Sequence, residues 1–207
     1  MEIYSVNVGV ERSINAKSGK TGIYKLPTSD PVYVGELGLK GDVIIDTENH
    51  GGLEQAVYLY GMPDYAWWSD ELDIQLEPGT FGENITITDL ESAPICIGDQ
   101  FTMGEIVLEV SGPRIPCVTL ATRMNDPKFV KRFVQAERYG AYCRVLQTGH
   151  IQTEQPVQHI KYDGTQVKIV EVAQAFYAKS LTAEQVERLQ SVPIEDEAKT
   201  YYANKLA

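Results

Sequence analysis

Apolar and polar positions alternate from the start of the chain. Over residues 2–10, Ile3, Val6, Val8 and Val10 stand against polar neighbours, which predicts a strand. A polar, glycine-bearing loop over 11–22 follows, ending in Lys20-Thr21-Gly22. Residues 23–26 and 32–34 read as short strands around a Pro27–Pro31 turn, and the glycine-punctuated stretch 35–42 as irregular. A second apolar run covers 56–60, and Met62-Pro63 opens a helix to about Asp73 with proline in its first turn. Phe81–Asn84 is a turn into a strand over 85–88. Further strands are predicted over 95–103, kinked at Gly98-Asp99, and over 106–110. Asp126-Pro127 starts a helix whose stripe is Phe129, Val130, Phe133 and Val134, with Gly140 just past its end. Strands near 141–146, 157–160 and 167–170 complete the body.

The pattern changes after residue 170. Residues 171–178 read as helical. Thr182 with Gln185 forms a capping box and Leu181 with Val186 a hydrophobic staple, so a helix runs to about Gln190; a third covers 195–206. Strands followed by helices predict a mainly β (α+β) chain: a β-barrel-like domain over 1–165 with a few short helices, and a small C-terminal helical appendage over 166–207.

Composition narrows the class. The 207 residues are 43% hydrophobic and 23% charged, as in a soluble globular protein. No apolar run approaches a membrane span and no charged-then-apolar leader follows Met1, so a cytoplasmic, membrane-free protein is expected. Cysteines 96, 117 and 143 have no close spacing, which argues against structural zinc, a Cys-ligated iron–sulfur cluster or a disulfide framework. The net charge of −11 argues against nucleic acid as a partner. Residues 1–40 nevertheless carry net +1, so an anionic ligand would look to Lys20, Lys25, Lys40 and Arg114.

The densest candidate chemistry is Ser111-Gly112-Pro113-Arg114-Ile115-Pro116-Cys117. Two prolines stiffen the segment into an extended loop. Arg114 is the first basic residue after Lys40, and a positive charge near a thiol favours the thiolate, the nucleophilic and metal-binding form. Against that stands the ordinary role of a free cysteine as a small buried hydrophobe, which suits Cys96 and Cys143; for Cys117 both readings stand. His50-Gly51-Gly52 is either a close-approach anion cradle or a tight turn with a surface histidine. Asn84 in Gly82-Glu83-Asn84 fits ordinary turn chemistry. No P-loop, GxGxxG, HExxH or GxSxG occurs, the histidines lack metal spacing, and Cys–His hydrolysis by Cys117 and His50 has no supporting signature.

Taken in order, Gly38-Leu39-Lys40-Gly41-Asp42, Asp46, His50-Gly51-Gly52 with Ala56 and Tyr60, Phe81-Gly82-Glu83-Asn84 and Ser111–Cys117 resemble the MOSC family, named for the C-terminal domain of molybdenum cofactor sulfurase. Lys20-Thr21-Gly22-Ile23, Lys25 and the helical tail are similar to its stand-alone bacterial YiiM-type branch. The resemblance implies a β-barrel-like fold that binds molybdenum cofactor (molybdopterin), with Cys117 as metal ligand and catalytic centre. It implies that Lys20, Thr21, Lys25, His50, Gly51, Gly52, Asn84 and Arg114 hold the cofactor. The implied activity is reduction of small N-hydroxylated substrates such as 6-hydroxylaminopurine, a detoxification. The sequence departs from related systems in two respects. Without a four-cysteine ferredoxin segment, electrons would come from a separate flavin or iron–sulfur reductase; without room for a pyridoxal-phosphate domain, the chain would not mobilise sulfur itself. The alternative is a module that carries or delivers the cofactor, or sulfur, without turnover. Oligomeric state is not legible.

Overall fold

The computed structural model describes residues 1–16, 19–47 and 50–207. The alternating N-terminal segment forms β1 (Ile3–Gly9). Within the stretch predicted as a loop lies a small hairpin, β2 (Arg12–Ser13) with β3 (Lys20–Thr21); residues 17–18 of that prediction fall outside the described residues. Then come β4 (Lys25–Pro27), β5 (Val32–Gly35) and β6 (Gly38–Leu39). A 3-10 turn (Leu53–Gln55) leads into β7 (Val57–Gly61) and α1 (Met62–Leu72), with Pro63 in the first turn as predicted. The chain continues through β8 (Ile85–Ile87), β9 (Gln100–Met103), β10 (Ile106–Pro113), α2 (Val118–Arg123), α3 (Phe129–Ala136), β11 (Ala141–Gln147), β12 (Gly149–Ile151) and β13 (Gln158–Ile160). It ends in α4 (Ile169–Tyr177), α5 (Ala183–Gln190) and α6 (Asp196–Ala203).

The architecture is mixed α+β. Eight strands form one sheet in the order β13-β9-β10-β11-β7-β8-β1-β4; β12-β5-β6 form a second, smaller one. Within the large sheet β7 and β8 are parallel and the other neighbours antiparallel. The ends of the large sheet, β4 and β13, do not pair with each other, so the predicted barrel does not close. Pro27 in β4 offers no N–H for a further ladder, which suits an edge strand.

β7 shows how the sequence builds the interior. All five of its residues are buried, and successive side chains enter two different cores. Val57 and Leu59 join the main cluster with Ile85, Phe101, Leu108 and Val110. Tyr58 and Tyr60 join an aromatic cluster with Tyr65, Trp68, Phe81, Phe129, Phe133 and Tyr139 under α1, α2 and α3. A strand covered on both faces reads as a continuous apolar run, which is how residues 56–60 read. The phenols are satisfied: Tyr58 donates to the Tyr139 carbonyl at 2.8 Å, Tyr60 to that of Arg138 at 2.9 Å, and the Trp68 indole N–H to the Tyr60 hydroxyl at 2.9 Å.

The tail belongs to the main core. Val167, Ile169, Val172, Ala175, Leu181, Leu189, Val192, Ile194 and Tyr202 are buried in the cluster that covers the sheet. The α5 capping box forms as predicted, Gln185 N–H donating to Thr182 Oγ1 at 3.2 Å and Thr182 N–H to Gln185 Oε1 at 2.9 Å.

Four local predictions are corrected. Residues 95–99 are a turn rather than strand, because the Asp99 carboxylate accepts the Cys96 N–H (3.0 Å) and the Tyr162 N–H (2.9 Å) and Gly98 sits at φ +84°. Residues 167–170 are the entry to α4, whose Glu171 side chain accepts the Lys168 N–H at 2.9 Å. Gly38-Leu39, read as irregular, pairs with β5. The extended Cys117 loop is shorter than predicted: β10 runs to Pro113 and α2 begins at Val118.

Candidate functional site

A cleft opens between the small hairpin, residues 42–46, His50-Gly51, the Phe81–Asn84 turn and the start of α2. Lys20, Thr21, Lys25, His50, Gly51, Asn84, Arg114 and Cys117 all line it. Gly52 does not; it is exposed and carries the chain into the 3-10 turn at φ +76°, ψ −176°, a conformation that favours glycine. The wall between the hairpin and residues 42–46 depends on close backbone approach, since a Cβ at Gly22 would lie 1.7 Å from the Val43 carbonyl oxygen.

Cys117 stands where β10 hands over to α2, as the residue flanking the helix, with extended backbone (φ −121°, ψ 172°). A bulge near Ser111 turns β10 as it nears the cleft, and the Ser111 hydroxyl ties to the Tyr142 carbonyl (3.0 Å) and the Glu54 carbonyl. Burial disfavours the Cys117 thiolate. It is outweighed by a hydrogen bond from the His50 ring, the Arg114 charge and the Leu120 backbone N–H, so the thiol is lowered to about 6. The other two cysteines behave oppositely: burial pushes the Cys96 and Cys143 thiols up.

Arg114 is only 5% exposed. Its guanidinium lies over the rings of Tyr58 (5.8 Å) and Phe133 (5.7 Å) and hydrogen-bonds Tyr142. Among the described residues no carboxylate pairs with it, and its Nη1 is buried without a hydrogen-bond partner. Burial keeps the Tyr58 and Tyr142 phenols neutral against the pull of Arg114. Gln55 supplies the complementary orphan, a buried Oε1 with no donor among the described residues.

The remaining cations are arranged differently. Lys25 is buried against Asp42, whose Oδ2 also accepts the Asn84 amide at 2.8 Å and whose Oδ1 accepts the Gly9 N–H at 2.7 Å. Burial lowers the Lys25 pKa, opposed by Asp42. Lys20, at the surface, pairs with Glu11 at 2.6 Å. Lys25 and Asn84 thus meet as members of one neutral network around Asp42. Asp42, Gln55, Tyr58 and Tyr142 line the cleft and were not singled out as site residues; the signal for Asp42 was its place in the Gly38–Asp42 motif and for Tyr58 its place in the apolar run of 56–60, while Tyr142 and Gln55 carried none. Below the floor, Glu83 Oε1 accepts from Tyr65 (2.6 Å), the Gly79 N–H (2.6 Å) and Thr86 (2.8 Å), fixing the turn that presents Asn84.

The model of the MOSC domain matches residues 46–158, from the cleft wall through Cys117 to β13. The chain belongs to the MOSC domain family. An uncharacterised protein YflK of Bacillus subtilis is 36% identical over 151 residues, 72% of this chain and 68% of that one. A protein of Gibberella moniliformis named "Reductase" is 29% identical over 180 residues, 85% of this chain but only 32% of its own length. The crystal structure of YiiM from Geobacillus stearothermophilus superposes with a TM-score of 0.83 at 27% identity, covering 100% of this chain and 99% of that one. Among the described residues no helix is long and apolar enough to cross a membrane.

Proposed function

We propose that the cleft binds molybdenum cofactor through Cys117 and that the chain reduces small N-hydroxylated compounds such as 6-hydroxylaminopurine. The observation that carries this reading is the Cys117 thiol, lowered to about 6 beside a buried guanidinium that lacks a carboxylate partner among the described residues. A soft thiolate is a fitting molybdenum ligand, and the unpaired Arg114 Nη1 donor and Gln55 Oε1 acceptor suit a group that is both anionic and rich in ring donors and acceptors, as a pterin dithiolene is. Among the described residues no three His, Cys, Asp or Glu side chains converge on a metal, so the cofactor would have to supply the other ligands.

The bound cofactor would supply two-electron oxygen-abstraction chemistry, R–NHOH + 2e⁻ + 2H⁺ giving R–NH₂ + H₂O. The chain's own residues perform simpler tasks. His50 hydrogen-bonds Sγ and holds Cys117 as thiolate; Arg114 balances its charge; Tyr58 and Tyr142 shield Arg114 from water, which strengthens its field. Gly51 leaves room at the wall, and Lys20, Thr21, Lys25 and Asn84 also line the cleft, where Lys25 would exchange part of its Asp42 contact for an anionic ligand. Electrons would come from a separate flavin or iron–sulfur reductase, and the setting would be cytoplasmic. The name of the Gibberella relative supports an oxidoreductase reading.

The test is molybdenum and pterin content after expression in a host that makes the cofactor, with wild type beside Cys117→Ser. Near-stoichiometric metal lost in the variant supports the site; no metal in either sinks it. Sustained turnover of a hydroxylaminopurine with an added reductase supports an enzyme, whereas stoichiometric release of cofactor to an apo-enzyme would show a carrier.

A further inference from the structure

Beside the cleft, two arginines share one tyrosine ring. The Arg12 guanidinium carbon lies 5.5 Å from the Tyr24 centroid and that of Arg123 lies 4.4 Å from it. The two charges are close enough to act on each other unfavourably. Among the described residues neither forms an ion pair, and Arg123 Nε is buried with no hydrogen-bond partner. Glu11, the carboxylate next in sequence to Arg12, is taken by Lys20. In a chain of net charge −11, two guanidiniums that share one ring and have no ion-pair partner among the described residues offer a place for an anion.

None of the three side chains lines the proposed active cleft, but each is the immediate neighbour of residues that do. Arg12 pairs across the hairpin with Thr21, which lines the cleft; Tyr24 lies between Ile23 and Lys25, which line it; Arg123 is one helical turn beyond Thr119, which lines it. Arg123 lies six residue steps beyond Cys117 along α2, about 9 Å of backbone rise. The distance from the exocyclic nitrogen of a purine to the 5′-phosphate of its nucleotide is of that order.

We propose that Arg12, Tyr24 and Arg123 form a subsite for a phosphate monoester at the rim of the Cys117 cleft, so that the preferred substrates are N-hydroxylated nucleoside monophosphates rather than free bases. The subsite rests on the geometry above; its coupling to N-reduction rests on the proposed function. Paired guanidiniums match a phosphate dianion, and Tyr24 holds both in place before the anion arrives.

The experiment is calorimetric titration of the purified protein with AMP, adenosine and inorganic phosphate, on wild type, Arg12→Gln and Arg123→Gln, with melting curves to confirm folding. AMP should bind at least tenfold more tightly than adenosine, each glutamine variant should lose about tenfold for AMP and little for adenosine, and rising salt should weaken AMP alone. Equal binding of AMP and adenosine, or variants that bind AMP like wild type, overturns the proposal. A third measurement distinguishes the source of the phosphate. If cofactor-loaded protein still binds AMP and the variants keep full pterin and molybdenum content, the phosphate is the substrate's. If loading abolishes AMP binding and the variants lose pterin, the phosphate is the cofactor's own and the nucleotide preference falls. Failure of Cys117 to take up metal would remove the proposed function while leaving these binding results to stand or fall by themselves.

Discussion

Cys117 should be the one fast thiol of the native chain, with a rate profile that reports its surroundings. Its thiol is lowered from 9.0 to about 6, so at pH 7 thiolate exceeds thiol about tenfold, where an unperturbed group would be about 1% thiolate. Nucleophilicity falls with basicity at a Brønsted slope of about 0.4–0.5, which takes back about 20-fold per thiolate. The net advantage at pH 7 is therefore only about fourfold, and the decisive quantity is the midpoint of the profile. Reaction of the apoprotein with a neutral aromatic disulfide, followed by absorbance from pH 4.5 to 9.5, should show one thiol reacting with a midpoint near 6, and three after denaturation. Arg114→Gln should move the midpoint up by about one pH unit or more, since a nearby opposite charge is commonly worth 1–3. The stability linkage has a fixed sign. A thiol depressed in the folded state stabilises most above its unfolded pKa, near 9, and the contribution is lost as pH falls through about 6. Cys117→Ser should thus match wild type most closely in acid. A wild-type midpoint near 9, or an Arg114→Gln profile identical to wild type, would refute the electrostatic account.

Asp42→Asn strands a buried Lys25 beside a neutral amide and should cost about 3 kcal/mol at pH 7 by urea unfolding. The deficit should narrow toward pH 10 as Lys25 sheds its proton, and adding Lys25→Met should recover part of it. Trp68→Ala should cost about 3–5 kcal/mol, because it empties the centre of the aromatic cluster and removes the indole N–H from the Tyr60 hydroxyl. Ending the chain at residue 165 strips Val167, Ile169, Val172, Leu189, Ile194 and Tyr202 from the main core, so the product should show no cooperative thermal transition by near-UV circular dichroism. Gly22→Ala should force the hairpin away from Val43 and reduce cofactor uptake more than it reduces stability, as metal content and melting temperature would show.

Much of the scaffold was legible because its signals are local. Alternation gave β1, proline at the first turn gave α1, and the Thr182–Gln185 pair gave α5. The misreadings arise where tertiary bonds outvote local pattern. Val167, Ile169 and Val170 are β-branched and apolar, but the Glu171 cap turns their segment into a helix start; Ile95-Cys96-Ile97 is apolar, but the Asp99 carboxylate folds it into a turn. Gathering eight predicted site residues into one cleft needed the family resemblance, since they come from separate strands and loops spanning residues 20 to 117. Which cations are free could not be read at all. Lys20 and Lys25 look the most available in sequence, yet Glu11 and Asp42 occupy them, while Arg12 and Arg123 gave no signal until Tyr24 brought them together.

The two walls of the cleft should exchange amide hydrogens on different clocks. Tyr58 lines the cleft, is packed in the aromatic core and donates its buried amide to Asn84 Oδ1 at 3.1 Å, so that amide should exchange only when the whole domain opens. Residues 42–46 and 50–51 face it from backbone that belongs to no helix or strand, and their amides should be released by smaller openings. Ligand entry would then draw on the fast wall alone, with the floor already in its bound arrangement. Substitutions that loosen α1 or α3 would erase that difference, and with it the pre-set floor, long before the chain unfolds.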